Sequence, residues 1–232
     1  KSHGRDMLLI YDADNGKRKK KIDLKLGEMR NPAWSPDGKK IAFEGIDHGL
    51  ADIYVYHLDN GKLDRLMKDL YDDSNPTWDE KSRFIAFASD RPFNGTPDST
   101  FKYGDYNIFL CDSEADTISP LIESPYKDDQ PAFSPDGKRI AFVSNRNGID
   151  NIYIYEIDTK KTIPVTNLIS GAFTPTWSPE GDQIAYSGFF KLGFDIYVLK
   201  NLKNVGDENG ELLLTSFMKK LRSGDKNVVV PK

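Results

Sequence analysis

Four stretches of this 232-residue chain carry nearly the same phrase: PAWSPDGKKIAF from Pro32, PTWDEKSRFIAF from Pro76, PAFSPDGKRIAF from Pro131 and PTWSPEGDQIAY from Pro175. The starting prolines lie 44, 55 and 44 residues apart. No other feature constrains the fold as tightly. A unit of that length built from short β-type runs buries its apolar faces by stacking on copies of itself. Four-stranded units of this size stack as the blades of a β-propeller.

Residues 32 to 66 show the grammar of one unit. Ala33-Trp34 is closed by Ser35-Pro36-Asp37-Gly38, where proline presets φ, aspartate bonds its own backbone and glycine accepts a positive φ. Ile41-Ala42-Phe43 alternates large, small, large, as expected of a strand held between two layers. Asp52-Ile53-Tyr54-Val55-Tyr56 has high strand preference. Asp59-Asn60-Gly61 is a hairpin signal leading to an outer strand at 63–66. The unit is thus four antiparallel strands. Its third strand recurs as Asn107-Ile108-Phe109-Leu110, Asn151-Ile152-Tyr153-Ile154 and Asp195-Ile196-Tyr197-Val198. Trp34, Trp78, Phe133 and Trp177 share one position, and an aromatic in register across blades predicts mostly buried packing between them. The second repeat replaces the proline–glycine corner with Asp79-Glu80-Lys81-Ser82 but keeps its apolar positions, so its blade is expected to form.

The phrase P-x-W-S-P-D-G-K-x-I-A-F followed by a D-I-Y-V-Y strand resembles the TolB-type propeller repeat. That is a WD40-like family of bacterial periplasmic and envelope proteins that also supplies propeller domains to some peptidases. The resemblance covers about residues 4 to 216 and implies a six-bladed parent. It is specific for fold and poor for function, because function lives in loops grafted on the fold.

Residues 3–12 align with 48–57, so the sequence opens at the third strand of a blade. The expected fold class is all-β, a propeller of four-stranded antiparallel blades with about four and a half blades present. The propeller is expected over 1–216, as a half blade at 4–26 and blades at 27–66, 67–122, 123–166 and 167–216; 217–232 is a tail or linker. An open arc, or a ring closed by another segment or chain, is the expected arrangement. In the tail, Met218 to Leu221 predict a helical turn, and Val228-Val229-Val230 a pairing strand.

Composition excludes several classes. No run approaches the roughly 18 apolar residues of a membrane span. A net charge of −4 with interspersed signs argues against nucleic acid as a partner. The basic run Lys17 to Lys21 reads as a solvated hairpin edge. Cys111 stands where other repeats have Tyr56, Tyr155 and Leu199, a buried small hydrophobe with no partner for an intrachain disulfide. His3, His48 and His57 lack helical metal spacing, and no G-x-S-x-G elbow occurs. Asp12-Ala13-Asp14-Asn15-Gly16 lacks the distal glutamate of a calcium loop and aligns with a hairpin. No metal, cofactor or catalytic residue is assigned.

The informative positions lie where loops converge on one rim. Each segment leading into an inner strand ends in a polar residue before proline: Asn31, Asn75, Gln130 and Thr174, with Asp73, Asp128 and Asp129 adding negative charge. The bland reading is that these groups satisfy backbone and water around a channel. As a set aimed into one funnel they form a candidate site. The 89–106 loop of the second repeat is about ten residues longer than its counterparts. It carries Arg91, Phe93, Phe101 and Tyr103, the composition of interface anchors. The reading reached is a non-catalytic propeller scaffold binding a protein or peptide at the funnel, periplasmic or outer-membrane associated by resemblance. The alternatives are a propeller that gates substrate for a serine peptidase domain, and a carbohydrate- or metal-binding propeller.

Overall fold

A computed structural model describes residues 6–47, 49–92, 105–207 and 209–223. The first described elements form a hairpin, β1 (Leu8–Tyr11) and β2 (Arg18–Ile22). Blade one is β3 (Glu28–Trp34), β4 (Lys40–Asp47), β5 (Leu50–His57) and β6 (Leu63–Arg65). Blade two is β7 (Asp73–Trp78), β8 (Phe84–Ser89), β9 (Asn107–Asp112) and β10 (Thr117–Ile122). Blade three is β11 (Asp128–Phe133), β12 (Arg139–Ser144), β13 (Asn151–Glu156) and β14 (Lys161–Pro164). Blade four is β15 (Ala172–Trp177), β16 (Ile184–Phe190) and β17 (Gly193–Leu199), and a short helix, α1 (Ser216–Arg222), follows. Every pairing is antiparallel between strands adjacent in sequence. The propeller expectation holds. The four-stranded unit holds in three repeats, whereas the last has three strands among the described residues, because the chain leaves β17 instead of turning back along it.

The alternation of large and small residues sets the spacing between blades. In blade one, Ile41, Phe43, Tyr54 and Tyr56 face back onto Leu8, Ile10 and Ile22 of the opening hairpin. Ala42, Ile53 and Val55 face forward onto Trp78, Ile85 and Phe87 of blade two. The next joint repeats the scheme, with Ala86 and Ile108 forward against Ile140, Phe142, Tyr153 and Tyr155. The third joint sets Ala141, Ile152 and Ile154 against Ile184. Each joint therefore receives bulky side chains from the later blade and an alanine from the earlier one, and fills to core density. Cys111 takes the backward place of Tyr56 and is fully buried.

The corner turns are made as the sequence predicts. Ser35 Oγ donates to Asp37 Oδ1 at 2.6 Å and accepts the Lys40 N–H at 2.9 Å. In blade two, Asp79 does the work of that serine, accepting the N–H groups of Arg83 and Phe84 at 2.8 Å each. Ser82 there adopts a positive φ of 60°, as Gly38 does at 70° in blade one.

The repeated aromatics do pack between blades, with one correction. Trp78 Nε1 donates to Ala33 O at 3.2 Å and Trp177 Nε1 to Ala132 O at 2.9 Å, each reaching the preceding blade. Cations cover both rings, Lys40 over Trp78 and Arg139 over Trp177. Trp34 is 51% exposed, because the hairpin ahead of it brings no inner strand to its ring among the described residues.

Candidate functional site

The four polar residues before proline meet, as the repeat predicts. Asn31, Asn75, Gln130 and Thr174, with the prolines that follow them, line one cavity of about 250 Å³ on the channel axis. Each sits at a β-bulge, where the register of the first two strands shifts between Arg30 and Ala33, Ser74 and Thr77, Asp129 and Ala132, and Phe173 and Thr176. The bulge has a shared cause. All four residues have positive φ, at 49°, 53°, 52° and 50°. The following proline disfavours the right-handed helical region, and the left-handed turn at each position takes its residue out of the strand register, onto the cavity. Asparagine tolerates this conformation. For Thr174, a β-branched residue, it is a strained outlier held by its surroundings.

Those surroundings form a circumferential network. Asn31 Nδ2 donates to Glu44 Oε2 at 3.0 Å, and Asn75 Nδ2 to Asp129 Oδ1 at 2.9 Å. The Thr174 N–H donates to Gln130 Oε1 at 2.7 Å, and Thr174 Oγ1 lies 2.9 Å from Ser187 Oγ. Lys127 Nζ stands 3.1 Å from Asp129 Oδ2. Burial raises the Glu44 carboxyl above its usual range, against the Asn31 amide, the Arg30 charge and the Asn75 backbone N–H. The bland function foreseen for these groups, mutual satisfaction around a channel, is thus present; Asn31, Asn75, Gln130 and Thr174 line the cavity, while Glu44 and Asp129 are buried behind them.

Glu44 was missed in the sequence, although a signal existed. The other repeats carry Ala88, Val143 and Ser187 at its position, so a carboxylate there breaks the pattern. The opposite end of the channel is a cavity of about 410 Å³ bordered by Pro36, Trp78, Pro135, Trp177 and Pro179.

Asp73 and Arg91 are not at the mouth. Asp73 is fully buried and takes a two-pronged bond from Arg91 Nη2 at 2.6 and 2.7 Å. Arg91 also bonds Ser89 Oγ at 2.8 Å and lies over the rings of Phe87 and Phe109. Burial pushes the Asp73 carboxyl up to about 7, while Arg91 and Ser89 pull it down. Blade three repeats the device with Asp128, Ser144 and Arg146, so Asp128 is likewise withdrawn from the mouth. Its sequence signal is an aspartate opposite the serine of S-x-R, in register as Asp73–Ser89 and Asp128–Ser144. Phe93, Phe101 and Tyr103 lie outside the described residues. Among the described residues no cluster of three or more histidine, cysteine or carboxylate side chains could hold a metal.

The family model of the TolB beta propeller domain matches residues 2–98 and 99–216. An uncharacterized protein of Agrobacterium fabrum is 28% identical over 168 residues, 68% of this chain and 54% of its own. The Tol-Pal system protein TolB of Francisella tularensis is 25% identical over 181 residues, covering 77% of this chain and 39% of that protein. The chain therefore spans about half or less of the length of these relatives. Among solved structures, TolB from Acinetobacter baumannii superposes with a TM-score of 0.69 at 20% identity, over 86% of this chain and 47% of that one. Puromycin hydrolase follows the same fold with a TM-score of 0.61 at 14% identity, over 84% of this chain and 31% of that one.

Proposed function

The chain belongs to the TolB beta-propeller domain family, and from that premise we propose that it is a non-catalytic scaffold of the bacterial cell envelope that binds a protein or peptide at its funnel face. One observation carries the reading. Four non-glycine residues at one repeat position, Thr174 at a cost, hold a left-handed backbone and thereby present polar side chains to a single cavity. Such strain persists where the surroundings over-determine it, and it clusters at binding sites. The contact set is Asn31, Asn75, Asp129, Gln130 and Thr174, with Glu44 behind them. Asp73 and Arg91 support blade two from inside and are left out of it. A periplasmic or outer-membrane location follows from the resemblance, and the name Tol-Pal system carried by relatives supplies the candidate partners. No helix among the described residues is long and apolar enough to cross a membrane.

Titration of purified Tol–Pal components against the chain tests this. Gln130→Ala combined with Asn75→Ala should weaken binding about tenfold or more, as truncation of central contacts does. Lys19→Ala, on the outer edge, should leave it unchanged. If the channel variants bind like the parent while edge variants lose binding, the funnel is not the site. The rival reading is a propeller that gates substrate for a peptidase domain, favoured by the fold it shares with puromycin hydrolase. Capture of a peptidase domain rather than an envelope protein would support it.

A further inference from the structure

After β17 the chain departs from the repeat. In the other blades an outer strand follows along the free edge of the third strand. Here residues 200–207 and 209–223 cross back over blade three as a strap. The Val205 N–H donates to Pro164 O at 3.0 Å, and Leu212 enters the core between blades two and three. The Thr215 N–H donates to Asn147 O at 3.0 Å, and α1 lays Arg222 over the Tyr126 ring, donating to its hydroxyl. Strap and blade enclose a cavity of about 350 Å³, within the size range of small-molecule sites.

Tyr153 lines this cavity. It is 1% exposed, and its hydroxyl has no hydrogen-bond partner among the described residues. Buried polar groups in native structures are almost always bonded, so an orphan here needs an explanation. Tyr54 and Tyr197 hold this repeat position in blades one and four, but packing alone does not require the hydroxyl. Phe109 fills the same repeat position in blade two beneath Arg91, as Tyr153 does beneath Arg146, and needs no hydroxyl. Burial pushes the phenol up to about 12, so it stays protonated and can donate. Beside it, Arg146 spends Nε on Ser144 and Nη2 on Asp128, which leaves Nη1. Arg222 lines the same cavity and has no carboxylate on it among the described residues. Glu211 lines it too, along with apolar Leu212 and Pro125.

We propose that this cavity binds a small zwitterion of the amino-acid class. Its carboxylate takes hydrogen bonds from Tyr153, Arg146 and Arg222, its ammonium faces Glu211, and its side chain rests on Leu212 and Pro125. A plain anion is less suited, since Asp128 neutralises Arg146 and Glu211 repels it. A plain cation would meet two guanidiniums. The site shares no residue with the funnel, so either can fail without the other.

The test is calorimetric titration of the whole chain with L-leucine and with L-phenylalanine, set beside acetate and L-leucinamide. Saturable millimolar binding of an amino acid is expected, with acetate and leucinamide at least about tenfold weaker, because a site built to bond a polar group rejects the analogue that lacks it. Tyr153→Phe, whose packing Phe109 already demonstrates, and Arg222→Ala should each weaken binding about tenfold. Failure of both amino acids to saturate would overturn the proposal, as would equal binding by Tyr153→Phe, or acetate binding better than either amino acid. A gain in thermal stability for Tyr153→Phe without any amino-acid binding would mean that water alone occupies the cavity, which also overturns it.

Discussion

Trp78 and Trp34 stand at one repeat position, yet only Trp78 has a blade to hold. Its indole N–H satisfies the Ala33 carbonyl, and its ring is 5% exposed against 51% for Trp34. Trp78→Phe should cost about 1–2 kcal/mol, because it strands a carbonyl at the joint. Trp34→Phe should stay within about 0.5 kcal/mol, as surface changes do. Urea titration of both variants checks this, and equal losses would show that the ring's bulk, not its donor, ties the blades. Asp112 makes a second prediction at this scale. The Arg83 guanidinium, at 2.6 Å, and the N–H groups of Glu114 and Ala115 hold its carboxyl down to about 2 from an ordinary 3.8. A depressed folded value means the contribution to stability is present above 3.8 and fades as pH falls toward 2. Carboxyl-detected NMR should show Asp112 titrating at about 2, and moving up toward 3.8 in Arg83→Ala. A native value near 3.8 would mean that the pair does not persist in solution.

Within a blade, the second strand carries the logic of the whole stack. Its bulky residues look back and its alanine looks forward, so the alanine sets how closely the next blade approaches. Ala86 is fully buried at such a joint, while Ala185 holds the same place in blade four and is only partly buried. Ala86→Leu should therefore destabilise by about 1–3 kcal/mol through overpacking. Ala185→Leu should fall within about 0.5 kcal/mol. Thermal unfolding of the pair reads the difference directly, and similar losses at both sites would refute the forward–backward scheme. The same elements explain the funnel. A bulge placed before the proline of every first strand turns four separate residues into one polar ring.

At the scale of the molecule, the forward face of blade four is the outstanding surface. Ile196 is 82% exposed and Val198 53%, whereas their counterparts Ile53, Val55, Ile152 and Ile154 are buried at joints. Apolar area of this kind promotes self-association when nothing covers it. Ile196→Lys with Val198→Thr should leave the melting temperature unchanged and lower light scattering in concentrated solution. A marked loss of thermal stability would show that these side chains are packed in solution after all.

The repeat phrase alone determined the fold class, the strand order, the corner turns and the identity of the residues ringing the channel. Periodicity and turn chemistry are local, and they recur four times. The aspartate opposite S-x-R is visible in the strand pattern, but that Asp73 and Arg91 meet inside blade two was decided by burial, since a charged residue reads alike whether it meets solvent or a partner 18 residues away. Glu44 shows in the sequence only as a carboxylate where the other repeats carry Ala88, Val143 and Ser187, and the course of the chain after residue 200 was open because no repeat governs it. Only tertiary packing decided which carboxylates stay at the mouth, which aromatics find a neighbouring blade, and that the strap closes over Tyr153. Those outcomes depend on what lies across a joint, and the chain encodes that only through the assembled stack.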